Sequence, residues 1–492
     1  MSEQNTSKGN PITRYFSEFG VLKECGRDFW LTNFIQFFDG LAYFTLIAIF
    51  VLYLGKYCGF SDADAAYWVG MYTLFLSLFA FAVGTICDII GLKRTYAIGF
   101  AVLITGRLLL GCGVDFGDML GLSQAASRIF VMVGIGIMAF GSAFMGPCIT
   151  TSIRRFTTLK ARPTGFNFYY MFMNIGACLA GFAIVDPLRE LGGDPAGYAW
   201  IVNVGTCFSA LGFIFTRFVN EDAYAVPEER VDKGSQVMRR PLGLIAQVAR
   251  ERAFQKLVVF LVLTLGVRLV FTLQFLVMPQ YYTRTIGNDF DLGMMNSLNP
   301  FIIITGLILI IPIINKFSTV KLMISGMSIS AASLILMAVP AEWYFVIPGI
   351  HTLNQAYFVA IVFQILIFAF GELLFSPRFS EYVARVAPKD KVASYMSLSA
   401  LPMFIAKPIN GVIGGLLVSY MCYDGIAAKM DTGHTTFWGS PEGMWTIYLI
   451  MAVISPLAII LTKDMFVSDH PEEDAAVDEK REEEEEAAEQ NA

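Results

Sequence analysis

Charge is scarce in this 492-residue chain. Asp, Glu, Lys and Arg make up 15% of it, against roughly 25% in an ordinary soluble domain, so a water-facing globular fold is excluded. Histidine is scarcer still. His351, His434 and His470 all fall in loops or in the C-terminal tail, which leaves any proton relay to carboxylates. The eight cysteines form no C-x-x-C pair and no metal-ligand spacing with histidine. Cys87, Cys148, Cys178 and Cys207 fall within or at the ends of apolar runs, where a thiol acts as a small hydrophobe. The start, MSEQNTSKGNPITRYF, has no apolar h-region, so no cleaved signal peptide is expected. No nucleophile and base recur together inside the apolar runs. Enzyme activity, a metal, a cofactor and a nucleic-acid partner are therefore not expected.

What the chain has in abundance is apolar sequence: 55% of its residues are hydrophobic and 14% aromatic, with a mean hydropathy of +0.59. Runs of about 20 residues suffice to cross a hydrocarbon layer. They occur near 30–54, 66–87, 95–114, 129–150, 165–185 and 198–218, then near 256–282, 293–315, 321–340, 356–377, 393–421 and 444–463. A polar stretch, 220–253, separates the two sets. Lipid cannot satisfy an open backbone, so all twelve should be helices. Alternate connections collect 27 of the 35 cations on one side and leave 5 on the other. The side rich in Lys and Arg, which also holds both termini, is expected to be cytoplasmic. The tail from Glu472 is a like-charge run expected to stay disordered.

Five ionisable residues fall inside the runs: Asp39, Arg107, Arg268, Glu372 and Lys407. Leaving all of them to lipid would cost about 12–17 kcal/mol in total, so they should line water or pair with one another. Arg107 lies in the outer third of its run, where it either snorkels to the headgroups or turns inward. Glu372 stands among Phe368, Phe370, Leu373, Leu374 and Phe375, in the stretch FAFGELLFSPRFSEYVARVAP. Its alternatives are a residue at the headgroup boundary and a proton- or solute-handling group in a wet cavity. A carboxylate that makes and breaks contact with a cation during transport would take up and release a proton.

The loop after the second run reads GTICDIIGLKR, with Gly84, Asp88, Gly91, Lys93 and Arg94. It resembles the loop signature of the major facilitator superfamily. The resemblance implies a conformational latch, with Asp88 capping a helix or pairing with basic residues of the opposite bundle. FYYMFMNIGACLAG, MMNSLNPFIII and GELLFSPRFSEYVARVAP are similar to stretches of one branch, the proton-dependent oligopeptide transporter family. That similarity implies solute-site roles for Tyr43, Tyr170, Asn174, Asn299, Glu372 and Ser376, with Glu372 and Asp39 as proton-coupling acids. The first run departs from the branch. In the register set by AIFVLYL, its acid-acid-arginine motif reads Gln36-Phe37-Phe38-Asp39-Gly40, and Ile47 and Gly146 occupy two further positions expected to be cationic. Arg268 and Lys407 are the candidate replacements.

The expected fold is an all-α polytopic membrane protein, twelve transmembrane helices in two six-helix bundles of the major facilitator type. The expected units are a cytoplasmic segment 1–28, bundles 29–218 and 254–466, a linker 219–253 and an acidic tail 467–492. The expected activity is proton-coupled symport of di- and tripeptides or peptide-like solutes by alternating access. It would occur in a plasma or bacterial inner membrane, through a monomer whose partners are solute, protons and lipid. Two readings stay open beside it: a relative carrying another small solute without the usual proton coupling, and a non-transporting membrane sensor.

Overall fold

A computed structural model describes residues 18–193, 195–227, 252–286, 292–315, 317–387, 392–399, 401–422 and 437–462. The polar start, most of the central linker and the acidic tail lie outside the described residues. Every element among the described residues is helical. Those that carry the argument are α1 (Arg27–Ile47), α2 (Asp62–Ile90), α3 (Leu92–Met119), α4 (Gln124–Arg155), α5 (Arg162–Leu179) and α6 (Ala196–Thr216). The second half contributes α7 (Leu265–Leu276), α8 (Leu292–Ile314), α9 (Thr319–Ser333), α10 (Leu353–Val386), α11 (Leu401–Ile409) and α12 (Pro441–Thr462).

Among the described residues, eight helices are long and apolar enough to cross a membrane, and up to eleven if each bent pair is one span. The remaining run of the sequence count is Leu401–Met421. It is helical throughout but changes to a wider turn over Asn410–Gly414. The run expected at 393–421 is broken, since Val392–Leu398 forms a separate short helix.

Caps written into the sequence set the helix starts. Ser61, Ser123 and Ser318 each accept a backbone N–H from three residues on, and Thr352 with Gln355 forms a full capping box ahead of α10. Gly91 takes φ +83° between α2 and α3, a turn that any residue with a Cβ would strain. Bends follow local chemistry too. The helix preceding α7 turns by 53° at Thr264, whose hydroxyl is spent on the Leu261 carbonyl at 2.7 Å.

Small residues let the helices close on one another. A Cβ on Gly134 would stand 2.7 Å from the Leu110 nitrogen, and one on Gly141 would run into Leu103. The glycine-rich run of α4 therefore seats it directly on α3. Gly134→Leu should cost about 1–3 kcal/mol by overpacking, read as a lower melting temperature of the purified protein. Gly136→Leu, where nothing lies within 4 Å, should leave it unchanged.

The two halves meet chiefly along three seams. α5 lies against α8 and α10, α2 lies against α11 and Val392–Leu398, and the end of α4 lies against that same short helix.

Candidate functional site

The charged residues expected to converge do so as two groups. The first straddles the seam between the halves. The Tyr170 hydroxyl of α5 donates to one oxygen of Glu372 on α10 at 2.6 Å, and the Asn299 amide of α8 donates to the other at 3.0 Å. Glu372 thus belongs to the interior of the seam, not to the headgroup boundary. Ser376, one turn along α10, is buried close to the Tyr170 hydroxyl. Asn174, one turn along α5, turns back on its own helix and donates to the Tyr170 carbonyl at 2.8 Å. Asn299 keeps a buried oxygen without a partner. The Arg268 guanidinium of α7 is within electrostatic reach of both Tyr170 and Glu372. It lies over the rings of Phe379, Phe375 and Phe271, at 4.2, 5.1 and 5.6 Å from their centroids.

The second group lies within the N-terminal half. Asp39 on α1 is electrostatically coupled to Tyr43, Tyr169 and Arg107. Arg107 does not snorkel. Its side chain is 2% exposed and donates to the Ala42 carbonyl at 2.7 Å, three residues along α1 from Asp39. Gly205 on α6 makes the room, because a Cβ there would approach an Arg107 nitrogen to 3.0 Å. Lys407 joins neither group and makes no ion pair among the described residues. Its neighbour one turn along, Asn410, donates to the Leu269 carbonyl at 2.7 Å.

The face carrying the Gly84–Arg94 loop is sealed by two complementary caps. Asp88, 5% exposed, accepts the backbone N–H groups of Ala393 and Ser394 at 3.0 and 2.8 Å and the Ser394 hydroxyl at 2.7 Å. An acid of the first half thereby caps a helix start of the second. Among its contacts across the seam are these backbone and hydroxyl donors, which realise the capping role anticipated from sequence. Arg155 of its own half, ion-paired to Glu221, is within electrostatic reach of Asp88. Arg154 completes the pattern in reverse. It donates to the Ala384 and Ala387 carbonyls, the latter at 2.6 Å, at the end of α10. Gly84 must lack a side chain, since a Cβ there would collide with the Ala393 carbonyl and Ser397. Lys93 and Arg94 are exposed.

Asp88→Ala should therefore lower the protein's stability by about 1–2 kcal/mol, whereas Asp88→Asn, which keeps a capping oxygen, should retain most of it. Melting curves of the two purified variants check this. Equal stability of Asp88→Ala and the parent protein would remove the cap from the account.

Beside these caps lies a buried polar network. Arg378 donates to Glu381 at 2.6 Å and to Asn315 at 2.5 Å, and Arg385 donates to the other Glu381 oxygen at 2.9 Å. Asn315 reaches across to Thr164 of α5 at 2.9 Å. Sequence reading missed Arg154, Asn315, Arg378 and Glu381 as partners of anything. The one available signal was the density of cations and acids in SPRFSEYVAR, which also fits a headgroup boundary.

Comparison with known proteins places these features. The sequence model of the family described as Major Facilitator Superfamily matches residues 32–398. Dipeptide and tripeptide permease A of Salmonella typhi is 24% identical over 443 residues, 79% of this chain and 84% of that protein. The protein of the same description in Chromobacterium violaceum is 27% identical over a shorter stretch of 165 residues, 32% of this chain and 30% of its own length. A solved structure described as a POT family transporter in complex with 5-aminolevulinic acid superposes with a TM-score of 0.62 at 16% identity. The superposition covers 90% of this chain and 97% of that one, a likeness of fold.

Proposed function

The chain belongs to the major facilitator superfamily, and on that premise we propose that it couples protons to the uptake of di- and tripeptides or peptide-like solutes by alternating access. The observation that carries this reading is the seat of Glu372. One carboxylate receives a hydrogen bond from each half of the protein, at the seam that alternating access must open and close. Protonation removes its charge and turns one acceptor oxygen into a donor, so the same event that binds a proton replaces charge-assisted bonds in the bridge by weaker neutral ones. Tyr43, Tyr170, Asn174, Asn299 and Ser376 are assigned to the solute surface, with Asp39 as a second acid. Residues 29–218 and 254–466 are the two moving units. The Asp88 and Arg154 caps hold shut the face rich in Lys and Arg, which is cytoplasmic in this reading. The permease relatives support the peptide assignment.

A second solute class is favoured by one feature. Gly40, Ile47 and Gly146 stand where the resemblance calls for cations, which suits a carrier whose solute contacts differ from those of peptide carriers. Uptake of labelled dialanine into liposomes containing the full chain separates the two readings. An inward proton gradient should drive accumulation, and unlabelled di- and tripeptides should compete. Absence of both uptake and competition would move the assignment to the other solute class.

A further inference from the structure

We infer that the solute surface demands a carboxylate, and that Arg268 receives it. This deepens the transporter reading above and depends on it, but not on the solute being a peptide. A guanidinium carries five N–H donors and no acceptor. Arg268 is partly buried in α7, and among the described residues its side chain makes no hydrogen bond and no ion pair; its Nε is buried without an acceptor. What holds it is the platform of Phe271, Phe375 and Phe379. Ring faces tolerate the charge but leave the in-plane N–H fork free.

The neighbouring acid does not fill that fork. The two oxygens of Glu372 turn to Tyr170 and Asn299, and no ion pair joins Glu372 to Arg268 among the described residues. The protein thus keeps a fixed cation at mid-depth, oriented by aromatic rings and denied a protein carboxylate. An unsatisfied guanidinium in apolar surroundings is costly, and a planar carboxylate arriving from the solute satisfies two of its donors at once.

The other cations at this depth do not compete for the role on equal terms. Arg107 also has two buried nitrogens without an acceptor, but at 2% exposed, with one nitrogen donating to the Ala42 carbonyl, its guanidinium is closed in by the N-terminal half. Lys407 lies on α11, outside the Glu372 group, and lacks the paired donors of a guanidinium. Among the five ionisable residues of the apolar runs, the three cations exceed the two acids by one. A solute carboxylate offsets that surplus locally.

The test is a binding panel on the full-length protein, read as melting-temperature shifts and titrated dissociation constants. The probes are dialanine, N-acetyl-dialanine, dialanine amide and succinate. Dialanine and N-acetyl-dialanine should bind comparably, and dialanine amide at least ten-fold more weakly. Arg268→Gln should weaken the two acids at least ten-fold and leave the amide unchanged, with Arg268→Lys in between. The wild-type panel needs no variant, so a misfolded mutant does not spare the inference. If the amide binds as well as dialanine, the inference is wrong while the peptide reading stands. If the peptides fail but succinate binds in an Arg268-dependent manner, the peptide reading is wrong and the inference stands. If none of the three carboxylates binds, or if Arg268→Gln retains full affinity for them, the inference falls.

Discussion

Glu372→Gln should abolish proton-driven accumulation of dialanine, by ten-fold or more, while leaving gradient-free exchange of the same solute largely intact. The substitution is clean for a structural reason. Glutamine fills the same volume, and its carbonyl oxygen can still accept from the Tyr170 hydroxyl, now at 2.6 Å from Glu372. Its amide nitrogen would face the Asn299 amide nitrogen, donor against donor, where a 3.0 Å bond now lies. Asn299 can answer by turning its amide over, because its oxygen is buried and unpartnered. The bridge between the halves is then retained, and only the ability to carry a proton is lost. Gradient-driven uptake and counterflow, measured on the same liposomes, separate the two properties. Accumulation at the parent rate would remove Glu372 from the proton pathway.

The largest expected effect on stability comes from Glu381→Gln. Glu381 is 1% exposed, and its oxygens accept from Arg378 and Arg385 at 2.6 and 2.9 Å. Removing one partner of a buried ion pair leaves the other charge without compensation, which costs about 3–5 kcal/mol. Arg378 is 2% exposed and already has a buried Nε without a partner, so it has little freedom to find another acceptor. Its remaining link, the Asn315 oxygen at 2.5 Å, is neutral. The Asn315 amide ties this network to Thr164 of the other half at 2.9 Å. Asn315→Ala should cost less, about 1.5–3 kcal/mol, because it removes a hydrogen bond from a charged donor but leaves the ion pair in place. Melting temperatures of both variants in detergent give the comparison. A Glu381→Gln protein as stable as the parent would show that the pair is not the fastening it is taken to be.

The sequence carried the helical runs, the placement of Tyr170, Asn299, Glu372 and Ser376 near one another, and the role of Asp88 as a cap. The runs rest on local pattern, whereas the other two were what the resemblance of a proline-containing stretch and a glycine-framed loop implied. What could not be read was which helix faces which. Arg107 illustrates this. Its depth along α3 suggested a route to the headgroups, but its partner is the Ala42 carbonyl of α1, and only the packing of α1, α3 and α6 around Gly205 makes that inward turn possible. The capping role of Asp88 was legible but the helix it caps was not, because no charge pattern announces the N–H groups at the start of Val392–Leu398. The split between Val392–Leu398 and α11 was hidden for a related reason: the run from 393 to 421 is apolar throughout, so hydropathy passes over the break. Arg378, Glu381 and Arg385 sit at a span end, where charges normally meet water, and nothing in their spacing separates a solvated cluster from a buried one.

Distances across the seam, taken at both faces of one protein, test the account most directly. Spin labels at Lys93 and Phe317 report the face with the Asp88 cap, and labels at Leu120 and Trp343 report the opposite face, all four positions being exposed. With the accessible Cys112 and Cys207 replaced, the pairs are measured in liposomes with and without dialanine, at neutral and mildly acidic pH. The account predicts two populations in which one distance lengthens as the other shortens, with their balance set by pH through Glu372. A single population at both faces, unmoved by solute or pH, or two distances that rise and fall together, would contradict it.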